Sequence, residues 1–190
     1  LLIYQGKIHL YYKAAFGKRP EYLVGLGLAT SNHPLGPFNK HPLNPIMNSG
    51  HETTFFPFKE GIAAFAIRNG NEHNSIQYSS DGVNFSLAAN TAMMPVGAKP
   101  YDPEAFTDSG FGYGIEWGIS HFADKSDATT KHSFLGRFDC NLRLDGGNTC
   151  MKETDVVHHP DVFFAQTLTK EQRKQRQQSA NHSRLAINKQ

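Results

Sequence analysis

The residues best suited to chemistry stand together at Asn48-Ser49-Gly50-His51-Glu52. An imidazole and a carboxylate follow a glycine directly, with an amide and a hydroxyl beside them. The flanking Ile46, Met47, Phe55, Phe56 and Pro57 are apolar enough to exclude water and shift proton affinities. His51 and Glu52 are suited to moving protons near neutral pH. Hydrolysis of a glycosidic bond is one reaction that needs such groups, placed on either side of the scissile bond. Neighbouring residues of a regular strand point to opposite faces, so only one of the two would face a substrate unless Gly50 bends the backbone. The structural alternative is a capping or turn-stabilising pair.

Other candidates are more scattered. Glu116 lies in an apolar run beside Trp117, where a carboxylate needs either a structural hydrogen-bond partner or a sugar to hold. Trp117 suits a sugar face or a core position. Asp102-Pro103-Glu104 reads as turn chemistry. His121 has no assigned role, and His158-His159-Pro160-Asp161 has metal-capable side chains in a loop-like context without metal-ligand spacing. Cys140 and Cys150 flank Asp145-Gly146-Gly147. They face each other across a hairpin as a disulfide or are two buried thiols, and two thiols alone do not make a structural zinc site.

These residues need a scaffold of short strands. Aromatics make up 12% of the 190 residues, and 17 Gly and 10 Pro punctuate the chain, so a mainly β protein is expected. Period-two alternation at Leu2, Tyr4, Ile8, Leu10 and Tyr12 around Gln5-Gly6-Lys7 predicts a hairpin, with a third strand over 22–29. The same grammar returns at 61–67 with 75–79, and at 111–120 with 132–138. A spacing of about 50 residues is within the range of β-propeller blades of about four strands. A β-sandwich is the architectural alternative. Leu1-Leu2-Ile3 resembles the middle of a core strand, so the start is expected to be a cut inside a folded domain. A partial propeller over 1–164 is predicted to precede a polar tail over 165–190. In that tail, Thr169-Lys170-Glu171-Gln172 opens a helix-forming run without an apolar stripe, either solvated or a partner-binding arm. A net charge of +2 argues against nucleic acid as a partner, and no apolar stretch is long enough to span a bilayer.

The run Ile46-Met47-Asn48-Ser49-Gly50-His51-Glu52-Thr53, continued by Phe56-Pro57-Phe58-Lys59-Glu60-Gly61-Ile62-Ala63-Ala64, resembles glycoside hydrolase family 117, the 3,6-anhydro-α-L-galactosidases or α-neoagarobiose hydrolases. Gly6-Lys7-Ile8-His9-Leu10-Tyr11-Tyr12-Lys13 and Pro34-Leu35-Gly36-Pro37-Phe38 fit as well, although related five-bladed sugar hydrolases share them. The resemblance runs from Leu1 to about Phe164. It implies an all-β, five-bladed β-propeller, present here as an incomplete fragment of two to three blades. It further implies release of 3,6-anhydro-L-galactose from neoagaro-oligosaccharides by inverting cleavage of an α-1,3 bond. His51 would be the general acid and Glu52 an essential carboxylate, with Asn48, Ser49 and Glu116 as substrate contacts. The aspartate base would belong to an early blade outside these residues, a second catalytic-site aspartate would fall just upstream of Leu1, and the 190 residues alone are expected to be inactive. The resemblance also implies an oligosaccharide substrate, a homodimer in the complete protein and a bacterial periplasm or cytoplasm. It names no certain cofactor and leaves open a divalent cation in the propeller channel. Two rival functions stand beside it: a sugar-binding propeller without catalysis, and a five-bladed glycosidase acting on arabinan or fructan.

Overall fold

The computed structural model describes residues 1–15, 24–48, 52–66, 74–91, 95, 97–124, 132–145 and 162–163. The tail over 165–190, the 158–161 cluster, Cys150 and Ser49-Gly50-His51 lie outside the described residues. Twelve strands are formed by those described: β1 Leu2–Tyr4, β2 Lys7–Ala15, β3 Val24–Ser31, β4 Asn39–Lys40, β5 Thr54–Lys59, β6 Gly61–Ala66, β7 Ser75–Ser79, β8 Ser86–Asn90, β9 Lys99–Pro100, β10 Gly112–Asp124, β11 His132–Arg143 and β12 Val162–Phe163. A short 3-10 turn, Pro103–Phe106, joins β9 to β10.

Among the described residues the fold is all-β and every pairing is antiparallel. The first four strands form one sheet in the order β1-β2-β3-β4, and the rest form a second in the order β12-β11-β10-β5-β6-β7-β8, with β9 beside β10. Three successive meanders are visible, as the repeated grammar predicts. They are not three separate units, because β10 pairs with the end of β5 through Gly112 and Lys59 and through Tyr113 and Phe58. Among the described residues the strands do not close into a propeller or barrel.

The central strand β6 explains the layering. All six of its residues are buried, because both faces of the strand are covered and the two sides of the pleat pack differently. Ala63 and Phe65 face a core shared with Phe56 and Phe58 of β5, Ile115 of β10, and Phe138, Cys140 and Leu142 of β11. On the other side Ile62 packs with Leu2 and Tyr4 of β1, and Ala64 and Ala66 pack with Leu26 of β3 and Met47. Rings complete these layers: Tyr11 stacks on Phe55 at 3.9 Å, and Phe56 meets Phe65 edge-on at 5.3 Å.

Polar anchors set the order of the layers. Tyr4 donates its hydroxyl to the Ser80 carbonyl at 2.6 Å, and Tyr11 donates to the Gly82 carbonyl at 2.8 Å. The connection they grip is held by Asp81, whose carboxylate accepts the backbone N–H groups of Val83 and Asn84, both at 2.8 Å. Burial acts against the Asp81 charge, but these hydrogen bonds together win and hold its carboxyl well below the usual range.

Candidate active site

The segment before β5 starts from a fixed point. Leu26 N–H donates to the Met47 carbonyl at 2.8 Å and Ile46 N–H to the Leu26 carbonyl at 2.9 Å, which ties 46–47 to β3. Asn48, exposed to solvent, leaves from this tie, and Glu52, partly exposed, stands two residues before β5 begins. Asn48 thus stands beside the first sheet and Glu52 beside the start of the second.

Two further elements converge there. β9 pairs with β10 through Lys99 with Ile119 and Pro100 with Gly118. Carrying that antiparallel register two residues further sets Gly97 opposite His121. Both side chains lie near Gly97: an ideal Cβ built on it would lie 3.0 Å from His121 Nδ1 and 4.0 Å from the Glu52 carboxyl carbon. Glu52 and His121 thus share one small region, brought together from either side of Gly97. The sequence offered no local signal for this proximity, since Gly97 belongs to no motif and His121 had no assigned role.

Between β9 and the 3-10 turn lies a buried carboxyl group. Asp102 is 6% exposed, and its Oδ1 accepts Lys99 Nζ at 2.9 Å. Its Oδ2 has no hydrogen-bond partner among the described residues. Desolvation raises its proton affinity, and the hydrogen bond and charge of Lys99 pull the other way. Asp102 precedes the 3-10 turn without capping it, so its side chain serves the salt bridge while its carbonyl accepts Ala105 N–H at 3.0 Å. Glu104 is held by Arg143 at 3.0 Å.

The structure narrows the alternatives for two residues of β10. Glu116 is not enclosed by the apolar strand but exposed, because the β10–β11 register shifts between Ile115 and Trp117 and sets both Glu116 and Trp117 off the buried face. The carboxylate therefore needs no buried partner. Trp117 is not a core residue either: it is partly exposed, stacked on Tyr101 at 4.8 Å with the rings 12° apart, and the Arg137 guanidinium lies 4.8 Å from its ring centre. Tyr101, 55% exposed, is the open member of that stack. Such a platform presents an aromatic face of the kind that sugars pack against.

Cys140 is a free, buried thiol. Among the described residues, no group of three or more His, Cys, Asp or Glu side chains could hold a metal ion. No helix among them is long and apolar enough to cross a membrane.

The chain matches Zg3597, a family 117 glycoside hydrolase produced by the marine bacterium Zobellia galactanivorans, with 52% identity and a TM-score of 0.70. It is homologous to a family 117 glycoside hydrolase. The match covers 83% of this chain and 45% of the Zobellia enzyme, so the chain spans less than half of that relative's length. No protein-family model and no curated protein matches it. Homology at this level accounts for the all-β arrangement of strands and supports reading the Glu52 region against the chemistry of family 117.

Proposed function

We propose that the protein containing this chain is an exo-acting glycoside hydrolase that releases 3,6-anhydro-L-galactose from neoagaro-oligosaccharides by cleaving the α-1,3 bond with inversion. The observation that carries this reading is the 52% identity to a family 117 glycoside hydrolase over 83% of the chain. The motif around His51 and Glu52 and the convergence of Glu52 with His121 agree with it.

In this reading His51 is the general acid. An imidazole, which titrates near neutrality when unperturbed, is suited to donating a proton to a leaving group. His51 donates its proton to the leaving glycosidic oxygen as the bond to the anhydro sugar lengthens. An aspartate contributed by chain outside these residues removes a proton from the attacking water on the opposite face of the sugar, which inverts the anomeric centre. Asn48, Ser49 and Glu116 are proposed to hold sugar hydroxyls, and the substrate site is proposed to lie in a five-bladed propeller.

The test is incubation of the full-length protein with neoagarobiose, with the early product followed by NMR. Release of 3,6-anhydro-L-galactose in the inverted configuration is expected. Replacing His51 by Ala should lower kcat/KM by about 1000-fold, within the range attributed to general acid catalysis. Binding without turnover would leave a sugar-binding protein, and preferential cleavage of aryl arabinosides would move the specificity to arabinan-type substrates.

A further inference from the structure

β2 begins at Lys7 where β3 ends, because Ile8 pairs with Ser31, and β4 joins them there through Asn39 opposite Thr30. An open cavity of about 280 Å³ lies at this end of the first sheet, lined by Lys7, Thr30, Ser31, Asn32, His33 and Asn39 among others. Its wall is held by hydrogen bonds. The Ser31 hydroxyl donates to the His33 carbonyl at 2.9 Å and accepts the His33 N–H at 3.1 Å, and Gly36 N–H donates to the same carbonyl at 2.9 Å. His33 Nδ1 accepts the Leu35 N–H at 3.2 Å. A ring nitrogen that accepts carries no proton, so the proton of the neutral imidazole sits on Nε2. Lys7, Asn32, His33 and Asn39 are all exposed. Among the described residues, no ion pair or hydrogen bond engages the side chains of Lys7, Asn32 and Asn39. No carboxylate lines the cavity. The Asp108 carboxylate, which holds the adjoining turn, already accepts the N–H groups of Gln5 and Gly6 at 3.0 and 2.6 Å.

We propose that this cavity binds a tetrahedral oxyanion, a sulfate or phosphate group that is either free or esterified to a sugar. Lys7 supplies the positive charge and three donors, and His33 Nε2–H, the Asn32 and Asn39 amides and the Thr30 hydroxyl supply the rest. An oxyanion accepts at every oxygen, so a wall rich in donors and without carboxylates matches it. A divalent cation finds no anionic ligand there. A neutral sugar would leave the ammonium without a counter-charge. The volume approaches the lower end of small-molecule sites, about 300 Å³, which leaves room for water around the ion. None of these residues takes part in the glycosidase reading above, so the two stand or fall separately.

The experiment is isothermal titration of the full-length protein with sodium sulfate, sodium phosphate, galactose 6-sulfate and galactose, at one ionic strength set with sodium chloride. A single saturable site for the oxyanions is expected. Lys7→Ala should weaken it about tenfold, the loss of one solvent-screened charged hydrogen bond, while Lys7→Arg keeps the charge and most of the affinity. Lys7→Gln, which keeps much of the side-chain stem, replaces Lys7→Ala if that variant fails to fold. His33→Ala should weaken binding about threefold, as for one neutral hydrogen bond. Lys40, exposed beside Asn39 but outside the cavity lining, is the control, and Lys40→Ala should bind as the wild type does. Tighter binding of galactose 6-sulfate than of inorganic sulfate assigns the site to a sulfated sugar, and the reverse assigns it to the free ion. Either result supports the proposal when it depends on Lys7. No saturable binding of sulfate or phosphate, equal losses in Lys7→Ala and Lys40→Ala, or galactose bound as tightly as its sulfate would overturn it.

Discussion

Asp108 holds Gly6 across 102 positions of sequence, its Oδ2 accepting the Gly6 N–H at 2.6 Å while Oδ1 accepts the Gln5 N–H at 3.0 Å. Gln5 and Gly6 are the two turn residues between β1 and β2, with φ 49° and 72°, as a hairpin turn with two positive φ angles requires. One carboxylate thus satisfies both exposed turn N–H groups and fastens the first sheet to the segment entering β10.

Replacing Asp108 by Ala should lower the stability of the protein by about 1 kcal/mol, since charge-assisted bonds of more than that in a buried setting are weakened here by solvent. Asp108→Asn, which can still accept one bond, should fall between the two. The urea midpoint measures this, and an unchanged midpoint for Asp108→Ala would show that the turn holds its shape alone.

His9 predicts a loss of stability in mild acid. Buried at 6% exposure between Tyr4 and Tyr11, its imidazole is pushed down to about 4, first by desolvation and then by Lys7. As pH falls through about 6.5 the unfolded chain takes up a proton, but the folded chain does so only near 4. Protonation therefore favours unfolding across that window, and the stability His9 contributes is full above it. The thermal midpoint of the wild type should fall between pH 6.5 and 4.5 by about 6 °C more than that of His9→Leu, a difference of about 2 kcal/mol. Parallel curves for the two proteins would rule this out.

The Cys140 thiol should resist alkylation in the native state. Burial pushes its proton affinity up to about 12, and the thiolate is the reactive form. Iodoacetamide at pH 8 should modify Cys140 only after guanidinium is added, read by mass spectrometry of the peptide containing it. Rapid native labelling would contradict the packing of Cys140 against Ile115 and its neighbours.

Strand positions were legible because alternation and turn residues are local signals. Gln5-Gly6 announces the hairpin, and Ser75–Ser79 forms β7 with the predicted bounds. β8 escaped notice, since Ser86–Asn90 lacks the β-branched and aromatic residues that mark strands. The exposure of Glu116 was not legible for a different reason. A bulge is a register event between two strands, and nothing in β10 alone reveals which residue the partner leaves unpaired.

The order of residues by itself determined the all-β character, the main turns and the motif that led to family 117, because pleat period, turn chemistry and a contiguous motif all lie within a few neighbouring residues. Tertiary structure alone decided which polar groups meet. Glu52, Gly97 and His121 are separated by 45 and 24 positions, and their proximity depends on β9 pairing with β10 and on the segment before β5 being tied to β3. Asp102 owes its burial, and Tyr101 and Trp117 their stack, to the same long-range pairing. Contacts of this kind arise from the packing of whole sheets, which no stretch of sequence specifies alone.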